Sequence, residues 1–509
     1  MKRSSGVLLP IFSLPSNYGI GTLGREAYNF VDFLVDTKQS YWQILPIMET
    51  SFGNSPYSAV SSFAGNPFFI DLDLLKDDGL LKDDEYNNLD FGNDPKRVNY
   101  YKLYENRPKI LRTACERYRQ KHPIAFSKFK FEHSHFLDDY ALFHAIKNHF
   151  NNVAFDRWDY NYKIADKKTI DEFKKEHHDD IEFYKTLQCI FYDQWYRLKK
   201  YANDNGIKII GDTPIYSAYD SSEVWATPEN FYLNADKTPI EVSGTPPDGF
   251  SADGQLWGNP LYNYDYIKGN DFRYFTDKFR ELSKLYDIVR IDHFRGFDSY
   301  YAIPYGNVNA REGRWVPAPG IELFTKVKEK CNDIEIIVED LGFLTESVRN
   351  LLKFTGFPGM KVMEFAFDSR DRNNLDYLPH TYPENSVAYI GTHDNDTFMG
   401  WLQNINDADR DYAREYLNLM FDGYDNFRAL TTLYESKSNL TVATMQDLLA
   451  IGSEGRINVP STISDMNWSY RLNKDYGDEN VKNFLKDLTI KTNRAMMIPT
   501  SQLKNSSIC

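Results

Sequence analysis

Four short, mainly apolar runs in this chain each end at an acidic residue or at a polar group containing one. They are residues 207–211 before Asp212, Ile288–Ile291 before Asp292, 334–338 before Glu339 and Asp340, and 387–391 before Thr392, His393 and Asp394. Short apolar runs bounded by polar residues are typical of buried strands. Segments with helical spacing lie between several of them, so the pattern predicts parallel β-α-β units.

Four further runs, at residues 41–47, 68–72, 361–367 and 440–445, are also predicted strands. About eight strands alternating with helices favour a closed (β/α)8 TIM barrel, of class α/β, over an open doubly wound sheet. No G-x-G-x-x-G or Walker A phosphate loop follows any of them, which removes the usual reason to prefer the open sheet. Residues 74–201 show helical spacing throughout, so we expect a large, mainly helical insertion there.

The composition of the 509-residue chain argues against several classes of protein. With 59 basic and 73 acidic residues its net charge is −14, which disfavours general binding to nucleic acid or to an anionic membrane. The four cysteines form no C-x-x-C pair, so neither a disulfide framework nor a zinc knuckle is indicated. Pro10 and Pro15 break a short N-terminal apolar run, which makes a poor signal peptide. Without any run near the roughly 18 apolar residues of a membrane span, we expect a soluble cytoplasmic protein.

The strand-end acids are expected to meet, because the carboxyl ends of all strands in a parallel barrel open on one face. The four carboxylates concerned are those of Asp212, Asp292, Glu339 and Asp394. So many carboxylates at one mouth must be neutralised, or have their pKa values pushed apart for acid–base work. Arg290 lies two residues before Asp292 and so shares its strand face. We expect this guanidinium to keep Asp292 ionised and to fix its direction.

Three interpretations of this mouth follow from residue chemistry alone. Arg290 and Asp292 could be a structural ion pair at a strand end. His293 and His393, beside two of the acids, could contribute to a hydrolytic metal site. The cations of Arg290 and Arg295 oppose metal binding, however, and no strand ends in H-x-H. Glycoside chemistry, which needs one carboxylate nucleophile and one carboxylic acid, fits these residues better.

For glycoside chemistry, Asp292 suits the nucleophile because Arg290 lowers the pKa of its carboxyl. Either Glu339 or Asp340 could be the acid/base, since the two side chains point to opposite faces of a strand. Asp394 is then free to bind sugar hydroxyls and to stabilise an oxocarbenium-like transition state. The choice between Glu339 and Asp340 stays open on this reasoning.

Longer motifs cover nearly the whole chain. They are SPYSAVSSFAGNPFFIDL at 55–72, GDTPIYSAYDSSEVW at 211–225, PPDGFSADGQLWGNPLYNYD at 246–265, VRIDHFRGF at 289–297, VEDLG at 338–342, GTHDNDTFMGW at 391–401, and RINVPST with a later NW at 456–468. In sequence and order they resemble the 4-α-glucanotransferases, the amylomaltase or disproportionating-enzyme group of glycoside hydrolase family 77. The resemblance implies a retaining transfer of α-1,4-glucan segments from malto-oligosaccharides to another glucan or to glucose. It implies no cofactor and no metal, and it indicates no oligomeric state.

The resemblance also assigns roles to individual residues. Asp292 is implied as the nucleophile, Glu339 rather than Asp340 as the acid/base, and Asp394 as the transition-state stabiliser. The implied substrate-binding residues are Tyr57, Asp212, Asp248, Phe250, Gln255, Trp257, Arg290, His293, His393 and Asn458.

The domain organisation expected from the resemblance is one catalytic barrel over residues 1–509, without a separate C-terminal β-domain. Residues 74–201 would be the helical insertion. A second insertion at 220–270 would carry a flexible loop, 246–258, that arches over the cleft and keeps water out. An α-amylase-like hydrolase with the same carboxylates is the nearest alternative function, and a catalytically silent glucan-binding protein is another.

Overall fold

Eight parallel strands form the central sheet of the molecule. The computed structural model describes residues 1–51, 53–247, 251–331, 334–342, 344–372 and 375–496. The strands are β1 (Ser4–Leu8), β2 (Tyr41–Gln43), β3 (Lys208–Thr213), β4 (Glu241–Thr245), β5 (Gln255–Pro260), β6 (Ile288–Ile291), β7 (Ser299–Pro304), β8 (Arg314–Pro317), β9 (Glu335–Val338), β10 (Gly359–Val362), β11 (Ser386–Tyr389) and β12 (Leu440–Thr444). In the central sheet their order is β10-β11-β12-β1-β2-β3-β6-β9.

The two edges of this sheet, β9 and β10, lie side by side. The backbone N–H of Val338, at the end of β9, donates to the carbonyl oxygen of Pro358, just before β10, at 3.0 Å. This bond joins the edges, so the sheet is a nearly closed parallel barrel. The predicted (β/α)8 fold class is confirmed.

Strand β1 is missing from the sequence prediction because it does not begin with an apolar run. Its first two residues, Ser4 and Ser5, are polar and yet buried. Gly6 makes its pairing with β2 possible, since a β-carbon there would lie 2.7 Å from Cβ of Tyr41. Any larger side chain would push the two strands apart.

The predicted strand at 68–72 is wrong. These residues belong instead to the 3-10 turn Pro67–Phe69 and to the start of a helix at Leu72. The side chain of Asp71 accepts a hydrogen bond from the backbone N–H of Leu74, which is the contact of a helix N-cap. The apolar run is thus a helix start with two capping residues, Asn66 and Asp71, and local capping outweighs β propensity.

The α-helices are α1 (Arg25–Asp36), α2 (Leu72–Asp77), α3 (Asp83–Tyr86), α4 (Tyr100–Lys121), α5 (Pro123–Glu132), α6 (Ser134–His149), α7 (Tyr160–Lys163), α8 (Lys167–Glu176), α9 (His178–Asp204), α10 (Ser222–Ala226), α11 (Tyr264–Gly269), α12 (Arg273–Leu285), α13 (Gly320–Lys330), α14 (Glu346–Thr355), α15 (Phe398–Asn404), α16 (Asp407–Leu417), α17 (Asp425–Glu435), α18 (Met445–Leu448) and α19 (Glu479–Lys491). Helices α2 to α9 all fall between β2 and β3, and α9 returns the chain to the barrel. The division into insertions at 74–201 and 220–270 stays a prediction. Within the described ranges, every helix is too short or too polar to span a bilayer, and the cytoplasmic location also stays a prediction.

A second, smaller sheet is absent from the sequence prediction. Strands β5, β4, β7 and β8 form it in that order, and all three pairings are antiparallel. Side chains from β5 and β8, including Gln255, Trp257 and Trp315, line the large cleft at the mouth of the barrel. This sheet therefore builds one wall above the barrel.

The alternation of side chains along the barrel strands decides which residues reach the barrel interior. Ile288 on β6 packs in the inner apolar cluster, whereas Val289 and Ile291 pack in the larger outer one. With a period of two, Arg290 and Asp292 share the inner face with Ile288. The same rule places Asp212 near the end of β3, and Glu339 after β9, above an inner layer of apolar side chains.

Candidate active site

The centre of the site is a buried arginine at the end of β6. Arg290 is 3% exposed, and its Nη1 donates to Oδ2 of Asp212 at 2.6 Å and to Oδ1 of Asp292 at 3.1 Å. Arg290 and Asp212 are direct partners in the register of β3 and β6. One guanidinium therefore holds two carboxylates from neighbouring strands, which compensates the cost of burying the three charges.

Asp212 lies deeper than the resemblance implies. Its side chain has no exposed surface, and its Oδ2 also accepts a hydrogen bond from the hydroxyl of Tyr57 at 2.8 Å. Arg290 and Tyr57 both line the cleft, whereas Asp212 does not. In this structure Asp212 is therefore placed to orient two cleft residues, and its place in the sugar pocket stays a prediction.

Glu339 reaches the cleft from the end of β9. Its Oε2 accepts the backbone N–H of His293 at 2.7 Å, and its Oε1 accepts the backbone N–H of Leu341 at 3.2 Å. The backbone at His293 is left-handed, with φ 49°, in the turn that directly follows Asp292. These contacts bring the Glu339 carboxyl beside the turn that carries Asp292.

The neighbouring acid, Asp340, points elsewhere. Its Oδ1 accepts the backbone N–H of Met360 on β10 at 2.6 Å, and its carboxyl would block a β-carbon on Gly359. Asp340 thus joins the two edge strands of the barrel and is not among the residues of the cleft. Of the two acids that residue chemistry leaves open, Glu339 is the one with access to a substrate.

Burial raises the pKa of both the Asp292 and the Glu339 carboxyl. The negative charge of Glu339 raises the pKa of Asp292 further, and the Arg290 cation lowers the pKa of both groups. Arg290 therefore acts in the expected direction, but burial outweighs it. The predicted effect of Arg290 on Asp292 is therefore present, and burial sets the net direction of the Asp292 pKa.

Asp394 lies beyond the end of β11, which only β10 separates from β9 around the barrel. Its Oδ1 accepts a hydrogen bond from Nδ2 of Asn458 at 2.6 Å, and its backbone oxygen accepts one from Nη2 of Arg456 at 2.7 Å. Its side chain remains 44% exposed to the cleft. Asn458 and Arg456 thus fix an open carboxylate in a single orientation.

His393 lies behind the cleft surface. Its ring is 3% exposed and stacks on the ring of Tyr57, with centroids 5.2 Å apart and planes inclined by 15°. Burial lowers the pKa of His393, so its ring is neutral near pH 7. Tyr57 lies against His393, which is not among the residues that line the cleft, and its predicted role in supporting the donor sugar stays a prediction.

The cleft itself is long and open, with a volume of about 2000 Å³. Nine of the thirteen predicted site residues line it: Tyr57, Gln255, Trp257, Arg290, Asp292, His293, Glu339, Asp394 and Asn458. Two more, Asp212 and His393, lie directly behind that lining. The remaining two, Asp248 and Phe250, fall outside the described residues.

Trp257 and Gln255 meet the catalytic turn from the small sheet. The indole of Trp257 packs edge-on against the ring of His293, with centroids 4.7 Å apart, and its Nε1 donates to Oε1 of Gln255 at 3.1 Å. Burial lowers the pKa of His293 to about 3, so this ring is neutral. An aromatic wall with a polar edge is a surface on which a sugar ring can stack.

Sequence reasoning missed several residues of the cleft wall. Among them are Trp315 on β8, Trp401 on α15, Trp468, and Glu364 in the turn Met363–Ala366 after β10. Glu364 has the same signal as the other acids, because it follows a buried strand. The predicted strand 361–367 runs past it, whereas β10 ends at Val362.

The acids of the mouth are not arranged around a metal position. Within the described ranges, no group of three or more His, Cys, Asp and Glu side chains is placed to hold an ion. The position between Asp212 and Asp292 is taken by the Arg290 guanidinium. Arg290 therefore supplies the positive charge between one oxygen of Asp212 and one of Asp292.

The fold is a nearly closed parallel barrel, and its open cleft is lined by paired carboxyls and aromatic side chains. This combination is typical of the (β/α)8-barrel enzymes that act on glycans. A family model described as 4-alpha-glucanotransferase matches residues 9–476. The chain belongs to this family.

Relatives and solved structures agree with this assignment. A 4-alpha-glucanotransferase of Clostridium butyricum is 45% identical over 94% of this chain and 98% of its own. One from Thermus thermophilus is 40% identical over 93% of this chain and 95% of its own. The structure of amylomaltase from Streptococcus agalactiae in complex with acarbose superposes with a TM-score of 0.94, at 45% identity over 97% of this chain and all of that one. Amylomaltase from Corynebacterium glutamicum, at 18% identity and a TM-score of 0.77 over 97% of this chain and 75% of that one, shares the fold.

Proposed function

We propose that this chain is a 4-α-glucanotransferase that moves α-1,4-glucan segments from a donor malto-oligosaccharide to the 4-hydroxyl of another glucan or of glucose. The observation that carries the proposal is the pairing of Asp292, held by Arg290, with Glu339 on the floor of the open cleft. Membership of the 4-alpha-glucanotransferase family supports it. So does the likeness to an amylomaltase whose structure is described as a complex with acarbose.

In the first step, protonated Glu339 gives its proton to the glycosidic oxygen while a carboxylate oxygen of Asp292 attacks C1. The bond between C1 and the leaving oxygen breaks, and an ester between C1 and Asp292 forms with inverted configuration. Burial raises the pKa of Glu339, which favours its protonated form relative to that of an exposed glutamate. Arg290, 3.1 Å from Asp292, favours the ionised form of the nucleophile within this pair.

In the second step, ionised Glu339 takes the proton from the 4-hydroxyl of the acceptor, whose oxygen attacks C1 and releases Asp292. The second inversion restores the α configuration. Such a retaining mechanism needs the two carboxyls about 5–5.5 Å apart. The hydrogen bond from the His293 backbone to Glu339 supports this closeness, because residue 293 directly follows the nucleophile.

Residues around the pair hold the sugar and its developing charge. Asp394, oriented by Asn458, can accept hydrogen bonds from hydroxyls of the cleaved sugar and stabilise positive charge at the ring. Tyr57 lines the cleft while its hydroxyl is tied to Asp212. The wall formed by Trp257 and Gln255 is placed to hold an acceptor and to displace water, which favours transfer over hydrolysis.

An α-amylase-like hydrolase would use the same carboxylates, so the acceptor decides between the two functions. Incubation with maltotriose separates them: transfer gives glucose together with longer oligosaccharides, whereas hydrolysis only shortens the chain. We expect longer products from the wild-type protein.

The test of the residue roles is Asp292→Asn, assayed by chromatography of maltotriose products. Without its nucleophile the variant should lose activity by at least about 10⁴-fold, with an unchanged circular dichroism spectrum. Wild-type activity in this variant would remove Asp292 from the mechanism. Saturable binding of maltotriose without any product from the wild-type protein would favour a silent glucan-binding protein instead.

A further inference from the structure

Glu364 is a buried acid on the cleft wall that the reaction above does not use. It lies in the turn Met363–Ala366 directly after β10, and its backbone N–H donates to the carbonyl oxygen of Ile390 after β11 at 3.1 Å. The residue is 7% exposed and lines the cleft between the strands that lead to Glu339 and Asp394. The backbone of Glu364 is therefore fixed at the wall of the cleft.

The carboxyl of Glu364 lacks the kind of hydrogen bond that the buried Asp447 makes. Its Oε1 is buried and makes no hydrogen bond to any residue that the structure describes. By contrast, Asp447 behind it accepts the backbone N–H of Phe398 at 2.8 Å. Buried polar groups without a partner are rare, and one that lines a cleft is suited to a ligand.

The charges around Glu364 favour its neutral form. Burial, together with the negative charges of Asp447 and Asp396, raises its pKa well above the ordinary value, against a smaller effect of Arg456. A neutral carboxyl both donates and accepts hydrogen bonds. That combination matches adjacent sugar hydroxyls, which are donors and acceptors themselves.

The surrounding wall carries other features of a sugar site. Asp396 accepts hydrogen bonds from Ser453 Oγ at 2.7 Å and from Asn404 Nδ2 at 3.2 Å, and all three groups are on the surface of the molecule. Trp401 also lines the cleft. Its ring is backed by Phe398 and Phe367, with centroids 5.8 Å and 5.7 Å away. A supported indole beside polar groups is a platform for a pyranose ring.

We propose that Glu364 is a specificity-determining residue that hydrogen-bonds hydroxyls of one glucosyl unit of the bound α-1,4-glucan, with Trp401 as the adjoining platform. The assignment deepens the proposed function and rests on it for the identity of the ligand. Glu364 does not touch the bond that is cleaved. It acts on affinity for the glucan chain, so its loss should appear in KM rather than in kcat.

The test compares Glu364→Leu with Glu364→Gln, because Leu removes both hydrogen-bonding oxygens whereas Gln keeps one donor and one acceptor. Binding of maltoheptaose is measured by calorimetry, with each substitution placed in the Asp292→Asn chain so that no turnover occurs. We expect Glu364→Leu to weaken binding about tenfold or more, and Glu364→Gln to stay within about threefold of the parent. In the chain with Asp292 intact, Glu364→Leu should raise KM by a similar factor, with kcat within about twofold.

Equal affinity of Glu364→Leu and its parent for maltoheptaose would overturn the proposal. Misfolding is checked by the melting temperature, which should not fall in Glu364→Leu because an unpartnered buried carboxyl is removed; if it does fall, Glu364→Met replaces it in the same comparison. Glu49→Gln, at a partly buried acid that does not line the cleft, is the matched control and should leave binding unchanged. A wild-type protein that fails to disproportionate maltotriose, while Glu364→Leu still weakens binding, would refute the proposed function and leave this assignment intact.

Discussion

Two buried clusters in this molecule use the same residue types for different ends. At the barrel mouth, Tyr57 donates a hydrogen bond to Asp212, and the ring of His393 packs on Tyr57. Where the chain after β2 meets helix α6, Tyr140 donates to Oε2 of Glu49, and His144 Nε2 lies 3.3 Å from the same oxygen. Each cluster thus combines a carboxyl, a phenol and an imidazole.

The clusters differ first in their cation. Arg290 is buried against Asp212 and Asp292, whereas the nearby Lys147 pairs with Asp220 and not with Glu49. Burial therefore raises the pKa of Glu49 to about 7, with Tyr140 and Lys147 opposing the rise. Without a paired cation the acid is held by hydrogen bonds alone.

They differ also in access. Asp292 and Glu339 line the cleft, and neither Glu49 nor His144 does. Tyr140 instead accepts a hydrogen bond from Gln188 Nε2 at 3.0 Å, which links Glu49 to helix α9. Burial with a raised pKa is therefore no sign of catalysis by itself; a second carboxyl, a fixed cation and an open surface are needed as well.

The largest expected effect that separates the clusters comes from Glu339→Gln set against Glu49→Gln. An amide in place of the Glu339 carboxyl could not transfer a proton, so the rate of maltotriose disproportionation should fall by about 10²–10⁴-fold. Glu49→Gln should keep it within about twofold, since residue 49 has no path to the cleft. Both rates are measured by glucose release. A loss of activity in Glu49→Gln comparable to that in Glu339→Gln would contradict the proposed difference between the two clusters.

A smaller effect on activity, with a clear effect on stability, is expected from Arg290→Met. The change leaves Asp212 buried without its cation, which should cost about 3–5 kcal/mol of unfolding free energy. Activity should drop by about 10²-fold, because Asp292 also loses its partner. Urea unfolding and the maltotriose assay measure the two losses.

The double variant Arg290→Met with Asp212→Asn is the control for that change. A neutral Asn still accepts the Tyr57 hydrogen bond, so most of the stability should return while activity stays low. Recovery of activity together with stability would mean that Arg290 has only a structural role.

The smallest effect is the pH-dependent stability change of Glu49→Gln. The pKa of Glu49 in the folded chain is about 7, above the unfolded value near 4.5. Its stabilising contribution is therefore complete below about pH 4.5 and is lost as the pH rises through 7. A pKa difference of this size between the folded and unfolded chain corresponds to at most about 3 kcal/mol.

Glu49→Gln should therefore be more stable than the wild type at pH 8 and equal to it at pH 4.5, by urea unfolding at both values. A stability difference that does not change with pH would contradict the raised pKa. At the barrel mouth no such single-residue substitution is available, because the charge of Glu339 and the Arg290 cation both act on the pKa of Asp292.

Particular residues show how far sequence reasoning reached. The barrel class could be predicted from the sequence because apolar runs ending in acids repeat along the chain. The family could be predicted because long motifs surround those runs. The 68–72 run was misassigned because two capping side chains, Asn66 and Asp71, decide its conformation. Strand β1 is absent from the prediction because it begins with the polar residues Ser4 and Ser5, whose burial appears only when the neighbouring strands are in place.

The site divides in the same way. Residue order alone places Asp292, Glu339 and Asp394 after barrel strands, because a period of two and the shared direction of parallel strands are local properties. Depth is not local. Asp212 and His393 lie behind Tyr57, and Asp340 turns to Met360. Oε1 of Glu364 has no partner among the described residues. Each of these placements depends on neighbours that are distant in sequence.

The sequence by itself therefore determined the kind of fold, the family and the acids at the barrel mouth, since these follow from periodicity and motifs along one strand at a time. Only the tertiary structure decided which of those acids meet the cleft, which are covered, and what net pKa results. Burial and charge sum over all packed neighbours, and at Asp292 that sum reverses the sign expected from Arg290 alone.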